Sequence, residues 1–291
     1  MQKRWLARHT RSLAGKTVAI TGSTGGLGRE LCRYLASLGA SLVLVDRSNT
    51  RSEANKARLL AEFPDVSIST VTADLADMTS VRTATEQLLH MPLDLFIHNA
   101  GAYHIPRHIC DTGYDNVFQI NFISPYYMIR TLLPLLKSRG GRVMAVGSIA
   151  HRYSKTDPSD VDFSTRERHS LAYGNAKRYL MFALPTLCRD FGVPLAITHP
   201  GITFTGITNH YPPVIFALIK HPMKVIFMRP AKAALSLLAG VFESCDEEEW
   251  IGPRLFDVWG RPKKRRLTSC NEAERNAIIQ TAQDICNTLS Q

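Results

Sequence analysis

At 291 residues the chain has room for one large α/β domain or two small ones, at roughly 100–200 residues each. An apolar fraction of 45% with a charged fraction of 21% excludes disordered, collagen-like and coiled-coil chains. The 35 Lys+Arg against 25 Asp+Glu leave a formal charge of +10, which favours acidic partners without choosing between phosphates, nucleic acid and anionic lipid. In chain order, the basic start MQKRWLARHTRSLAGK leads into no apolar run, which argues against a cleaved signal peptide and reads as a basic extension over 1–12. TVAIT (17–21) and SLVLV (41–45) read as strands around a helix at 26–39, a first βαβ unit. The alternation continues through helix 51–62, strand 66–72, helix 78–89, strand 93–99, helix 112–138, strand 142–148, helix 169–190 and strand 194–199. A Pro- and aromatic-rich segment follows at 202–229, then a helix at 230–243, a short strand at 254–258 and a final amphipathic helix at 271–288. Strands alternating with helices predict one doubly wound parallel sheet, Rossmann-like, in a single domain over 13–291. The six cysteines are scattered, with no C-x-x-C pair and no His cluster at ligand spacing, which fits a reducing compartment and no metal.

In such a sheet the chemistry belongs in the loops after strands, at the point where strand order reverses. Immediately after the first strand comes Thr21-Gly22-Ser23-Thr24-Gly25-Gly26-Leu27-Gly28, leaving a strand and opening a helix. Glycines there let the backbone approach a pyrophosphate, held by the unpaired N–H groups at the helix start. Asp46 ends the next strand 18 positions beyond Gly28, where a carboxylate accepts from an adenosine ribose 2′-hydroxyl and repels a 2′-phosphate. That favours NAD(H). Arg47 follows directly and, unless it is a plain surface residue, pairs with a 2′-phosphate, so NADP(H) stays open.

Tyr173 and Lys177 stand at i and i+4 of a predicted helix, on one face. A neighbouring cation stabilises a phenolate and makes a tyrosine useful as a general acid/base. Ser148, at the end of the strand RVMAVGS, is placed to polarise a substrate carbonyl. Each has a bland alternative: a surface cation beside a helical aromatic, and a strand-end turn residue.

Together these residues resemble the short-chain dehydrogenase/reductase family, from about Leu13 to the last predicted helix. The matches run in order: the TGSTGGLG turn, Asp74 and Leu75 in ADLAD, Asn99-Ala100-Gly101, Asn121, Ser148, Tyr173 with Lys177, and Pro200-Gly201 followed by Thr203 and Thr205. The resemblance implies Tyr173 as general acid/base, Lys177 as its partner and a ribose contact, Ser148 as the substrate-orienting hydroxyl, and Asn121 holding a water of the proton relay. It implies cofactor contacts from Gly22, Ser23, Thr24, Gly26, Leu27, Gly28, Asp46, Arg47, Asp74, Leu75, Asn99, Ala100, Gly101, Lys177, Pro200, Gly201 and Thr203. The 25 residues from Ser148 to Tyr173 are similar to the spacing in the retinol-dehydrogenase-like branch, which acts on lipophilic alcohols and carbonyls. The chain differs from the family pattern at His98, in place of the first Asn of Asn-Asn-Ala-Gly, and at Ala176, where Ser commonly precedes the lysine, while Asp46 is atypical of the NADP-using branch.

On this reading 202–229 is a lid whose Phe204, Tyr211, Ile215 and Phe216 face a lipophilic small-molecule substrate. The apolar stretch at 211–228 is broken by Lys220, His221, Pro222 and Lys224, too interrupted to span a bilayer but suited to lying on one. The expectation is a cytoplasmic protein with peripheral membrane contact. The resemblance adds a homo-oligomer, a dimer or tetramer. The basic N-terminus and the run Arg261 to Arg266 come with no nucleic-acid module, which argues against that partner. A non-catalytic dinucleotide-binding scaffold on the same fold is the competing reading.

Overall fold

The computed structural model describes residues 2–201 and 228–289. The expected lid, Thr203 and Thr205 included, therefore lies outside the described residues apart from Met228 and Arg229. Seven strands run parallel: β1 Thr17–Thr21, β2 Ser41–Asp46, β3 Ile68–Thr72, β4 Leu95–His98, β5 Arg142–Val146, β6 Leu195–Thr198 and β7 Glu249–Leu255. An eighth, β8 Trp259–Arg266, returns antiparallel to β7, giving the order β3-β2-β1-β4-β5-β6-β7-β8. The order reverses between β1 and β4, so the crevice opens there, at the carboxyl ends of the strands.

Helices cover both faces: α1 Gln2–His9, α2 Gly26–Ser37, α3 Asn49–Glu62, α4 Met78–Leu89, α5 Asn116–Phe118, α6 Ser124–Ser138, α7 His169–Phe191, α8 Pro230–Phe242 and α9 Glu272–Leu289. A π-helical turn, Gln119–Ile123, joins α5 to α6. Because side chains alternate across a strand, Val18 and Ile20 point one way and Ala19 the other. The first pair packs with Leu31, Leu35, Leu237 and Leu238 of α2 and α8; Ala19 packs with Phe96, Leu132, Leu180 and Ile278 on the face of α4, α6, α7 and α9. Both clusters are dry, which is where such a sheet keeps its stability.

The predicted parallel strands and the helices flanking them are present, with ends within a few residues except for the long helix, which starts at Asn116 rather than 112. The carboxyl-terminal strand needs correction. Residues 254–258 are mostly the turn of a hairpin, and the basic run 261–266 is itself strand. Pro253 sits opposite Pro262, with a register irregularity just after it; prolines and lysines are what an edge strand tolerates, because they deter pairing with another chain. The basic extension also has structure: α1 buries Trp5 among the residues of α2 and α8 while its arginines stay outside. No helix among the described residues is long and apolar enough to cross a membrane.

Candidate active site

The glycine turn closes on itself by close approach. Gly22 has φ +70, and a Cβ there would sit 2.8 Å from Ala100 Cα; a Cβ on Gly28 would run into the Gly22 carbonyl oxygen. Asn99 clamps the turn, its amide nitrogen donating to the carbonyls of Thr21 and Gly22, each at 3.0 Å. The Thr21 hydroxyl, a residue that motif reading passes over, accepts from the backbone N–H of Asn99 and Ala100 at 3.1 and 3.0 Å. No side chain caps α2, whose start lies at Gly26 and Leu27, so the first N–H groups of a 12-residue helix remain for an anion.

Asp46 does something its sequence position did not suggest. It is buried, and both carboxylate oxygens are engaged: Oδ2 accepts from the hydroxyls of Ser23 at 2.5 Å and Ser52 at 3.1 Å, and Oδ1 from Thr24 N and Oγ1, each at 3.1 Å. Its carboxylate thus pins the glycine turn to β2 and α3. Arg47, next along, is exposed. Asp74 accepts from Ala76 N at 3.0 Å and its own N–H donates to Ser80, while the Leu75 carbonyl accepts from Ser124 at 2.7 Å, tying that loop to the long helix.

The π-helical turn carries Asn121. Its side chain donates to the carbonyls of Ala102 and Val117, both at 2.8 Å, and accepts from Ala102 N at 3.3 Å, so it clamps the 99–102 loop. A Cβ placed on Gly101 would lie 2.8 Å from Asn121 Oδ1 and 3.6 Å from Lys177 Nζ, which sets these three residues side by side. Inserted π turns often mark functional sites.

Ser148 follows β5 and caps the 3-10 turn Ile149–Arg152, accepting from Ala150 N at 3.2 Å. Tyr173 and Lys177 leave α7 on one side, the Lys177 nitrogen 5.9 Å from the phenol ring centre. Lys177 is 2% exposed and donates to the Val146 carbonyl at 3.0 Å. Burial brings its pKa down to about 7. Burial likewise pushes the Tyr173 phenol up to about 12, against a hydrogen bond with the Ser148 hydroxyl that pulls it down. Tyr173 and Lys177 are brought together as expected, but burial decides the phenol's shift, and what lowers it is Ser148 and not the lysine. His98, at the end of β4, is fully buried with its Nδ1 3.2 Å from Thr21 Oγ1; desolvation, then the charge of Lys177, holds its pKa well below the usual histidine range.

The structure therefore brings Ser148, Tyr173, Lys177, Asn121 and Gly101 to one edge of the sheet beside the glycine turn. The entrance is aromatic: Tyr103 meets Tyr173 edge-on at 5.1 Å, and Tyr153 stands close enough to raise its pKa. Sequence reading missed a group beneath the β6 end, where His199 stacks on Trp250 at 5.2 Å and His151 meets the same indole at 5.3 Å. Only its buried strand context could have signalled it. Burial lowers His199 to about 3 and His151 to about 4. Folded-state values below the unfolded one near 6.5 mean that the unfolded chain binds more protons as pH falls, so stability drops below pH 6.5 by about 1.4 kcal/mol per pH unit per histidine. The melting temperature should fall from pH 7 to pH 5, and His199→Phe, which keeps the stacking, should fall less steeply; equal slopes would refute the assignment.

With this geometry in view, residues 16–157 match the short chain dehydrogenase family model. Short-chain dehydrogenase TIC 32 A, chloroplastic, of Brassica napus is 31% identical over 210 residues, covering 67% of this chain and 66% of that protein's length. The chain belongs to the short-chain dehydrogenase/reductase family. Retinol dehydrogenase 14 of Mus musculus is 28% identical over 273 residues, covering 84% of this chain and 81% of its own. A solved protein from Mycobacterium paratuberculosis shares the fold with a TM-score of 0.74 at 24% identity, over 97% of both chains. The resemblance to the retinol-dehydrogenase-like branch holds, and with it the Rossmann fold and dinucleotide-dependent oxidoreductase chemistry of the family.

Proposed function

We propose that this chain interconverts a lipophilic alcohol and its carbonyl compound with a nicotinamide dinucleotide, Tyr173 handling the proton. The observation that carries this reading is the meeting of the Ser148 hydroxyl, the Tyr173 phenol and Lys177 at the crevice edge. The dinucleotide fits the residues present: an uncapped helix start, a cradle that a Cβ on Gly22 or Gly28 would fill, and Lys177 within reach of Gly101. When bound, the nicotinamide supplies or takes the hydride. Tyr173, protonated at neutral pH with its pKa near 12, donates to the carbonyl oxygen in reduction, while the Ser148 hydroxyl polarises that oxygen. Oxidation needs the phenolate, so its rate should climb with pH. Tyr103 and Tyr153 at the entrance, with Ile105 and Phe163 packed nearby, suit an apolar substrate. One domain over 13–291 with a lid at 202–229, and pairing of chains through α6 and α7, belong to the same proposal.

Cofactor choice follows from Asp46 and Arg47. A carboxylate already accepting four hydrogen bonds has little to give a ribose hydroxyl, whereas the exposed Arg47 is available to a 2′-phosphate. We therefore favour NADP(H) over the NAD(H) that Asp46 suggests from sequence. Arg47→Ala should raise KM for NADPH about tenfold or more and leave NADH unchanged, as loss of a charge-assisted contact requires. An unchanged NADPH KM would remove Arg47 from the reading.

The deciding experiment is a panel of lipophilic alcohols and ketones assayed with both cofactors. Turnover confined to apolar substrates supports the proposal. Tight dinucleotide binding with a silent panel favours the scaffold reading.

A further inference from the structure

The β7–β8 hairpin ends in an arrangement that folding alone does not favour. Leu255, Phe256 and Trp259 are exposed by 44%, 88% and 44%. Phe256 and the next residue, Asp257, both hold positive φ, 53 and 58, in a turn closed by Val258 N donating to the Leu255 carbonyl at 2.9 Å. That is a hairpin turn for which glycine and asparagine are preferred, and a phenylalanine there is strained as well as wet. The turn is held from below: the Asp257 carboxylate is buried and pairs with Arg152 at 3.2 Å and Arg265 at 3.4 Å. Since β7 runs parallel to β6, the tip emerges on the crevice edge of the sheet, and the Val258 carbonyl packs against Gly201 in the loop after β6.

Cations flank this tip. Lys264, Arg265 and Arg266 are paired with Glu249, Asp257 and Glu248, but among the described residues Arg261 and Lys263 have no ion-pair partner. Arg261 shares a cleft with Arg4, Trp5, Arg8 and His9 of α1, which extends the basic surface from β8 onto the helix.

We propose that the hairpin tip is a membrane-docking element: Phe256, Trp259 and Leu255 enter the interfacial region of an anionic bilayer while Arg261, Lys263 and the arginines of α1 meet its headgroups. Exposed aromatic and aliphatic side chains on the same hairpin as the unpaired Arg261 and Lys263 match both parts of such a surface. A second copy of the chain is the poorer occupant, because pairing two β8 edges sets Arg and Lys against Arg and Lys. The docking surface does not depend on what the substrate is. If the substrate is lipophilic, docking brings the crevice mouth to the phase that dissolves it.

The test uses the full chain with phosphatidylcholine vesicles, with and without phosphatidylserine, read by cosedimentation and tryptophan emission. Trp5 and Trp250 are 7% and 0% exposed, so an emission shift reports Trp259. Binding should require phosphatidylserine, weaken with salt and shift the emission to shorter wavelength. Phe256→Gly should weaken partitioning about tenfold while leaving the melting temperature equal or higher, because glycine suits the left-handed turn. Arg261→Glu with Lys263→Glu should remove the phosphatidylserine dependence. Turnover of a short, water-soluble substrate should be unchanged in Phe256→Gly, which separates docking from catalysis. No binding to anionic vesicles, equal binding by Phe256→Gly, displacement from vesicles by single-stranded RNA, or a concentration-dependent dimer lost in these variants would each overturn the proposal.

Discussion

Replacing Tyr173 with phenylalanine is expected to lower turnover about a thousandfold while dinucleotide affinity stays within about twofold of the parent, since nothing in the glycine turn depends on the phenol. The ring itself is structural. It packs edge-on against Tyr103 and with the small cluster of Val117, Phe163 and Ala172, contacts that phenylalanine keeps. Only the hydroxyl goes, and with it the hydrogen bond to Ser148. The melting temperature should therefore hardly move. The check is paired: single-turnover reduction with the best substrate of the panel, and titration of NADPH fluorescence on the same preparation. Full activity in the variant would assign the proton to another group. Loss of cofactor binding in step with activity would mean that the ring positions the dinucleotide rather than the proton.

How far the sequence reveals this site depends on whether its parts are local. The glycine turn, Ser148 and the Tyr173/Lys177 pair are each set by a few neighbouring residues on one strand end or one helical face, so spacing and pattern expose them. The same holds for β1, β2, β4, β5 and β6, whose apolar runs are buried on both sides, and for β3, whose β-branched residues are partly buried and partly exposed at the sheet edge. The role of Asp46 is different: its partners Ser23 and Ser52 come from two other segments, and no spacing rule joins 23, 46 and 52. Nor does local chemistry announce β8, in which Arg, Lys and Pro at the sheet edge replace the apolar alternation that signals a strand. In α1 the arginines conceal a single buried indole. The low pKa of Lys177 is likewise a property of the assembled core, because the atoms that desolvate it come from β5, the 99–102 loop and α7 together.

That last property yields the second large effect. Lys177→Met should make the protein more stable at neutral pH and nearly inactive. With a folded pKa near 7 against 10.5 unfolded, the buried lysine costs the folded state about 5 kcal/mol below pH 7. Methionine has a similar length and carries no charge, but it leaves the Val146 carbonyl without its donor, worth about 1 kcal/mol. A net gain of about 3 kcal/mol at pH 7 follows, once imperfect packing is allowed for. The sign fixes the pH dependence. A depressed folded pKa means that the unfolded chain holds the extra proton between pH 7 and 10.5, so the parent's stability rises by about 4 kcal/mol across that window and the variant's advantage turns into a deficit of about 1 kcal/mol at its upper end, where only the lost hydrogen bond and packing remain. Urea titrations of both proteins at pH 7 and pH 10 measure this directly. A constant difference would show that the gain is packing and not charge; a less stable variant at pH 7 would show that Lys177 is not desolvated in solution. Activity falling at the same time would identify a lysine kept in the core at a cost to stability, as the proposed proton transfer by Tyr173 expects.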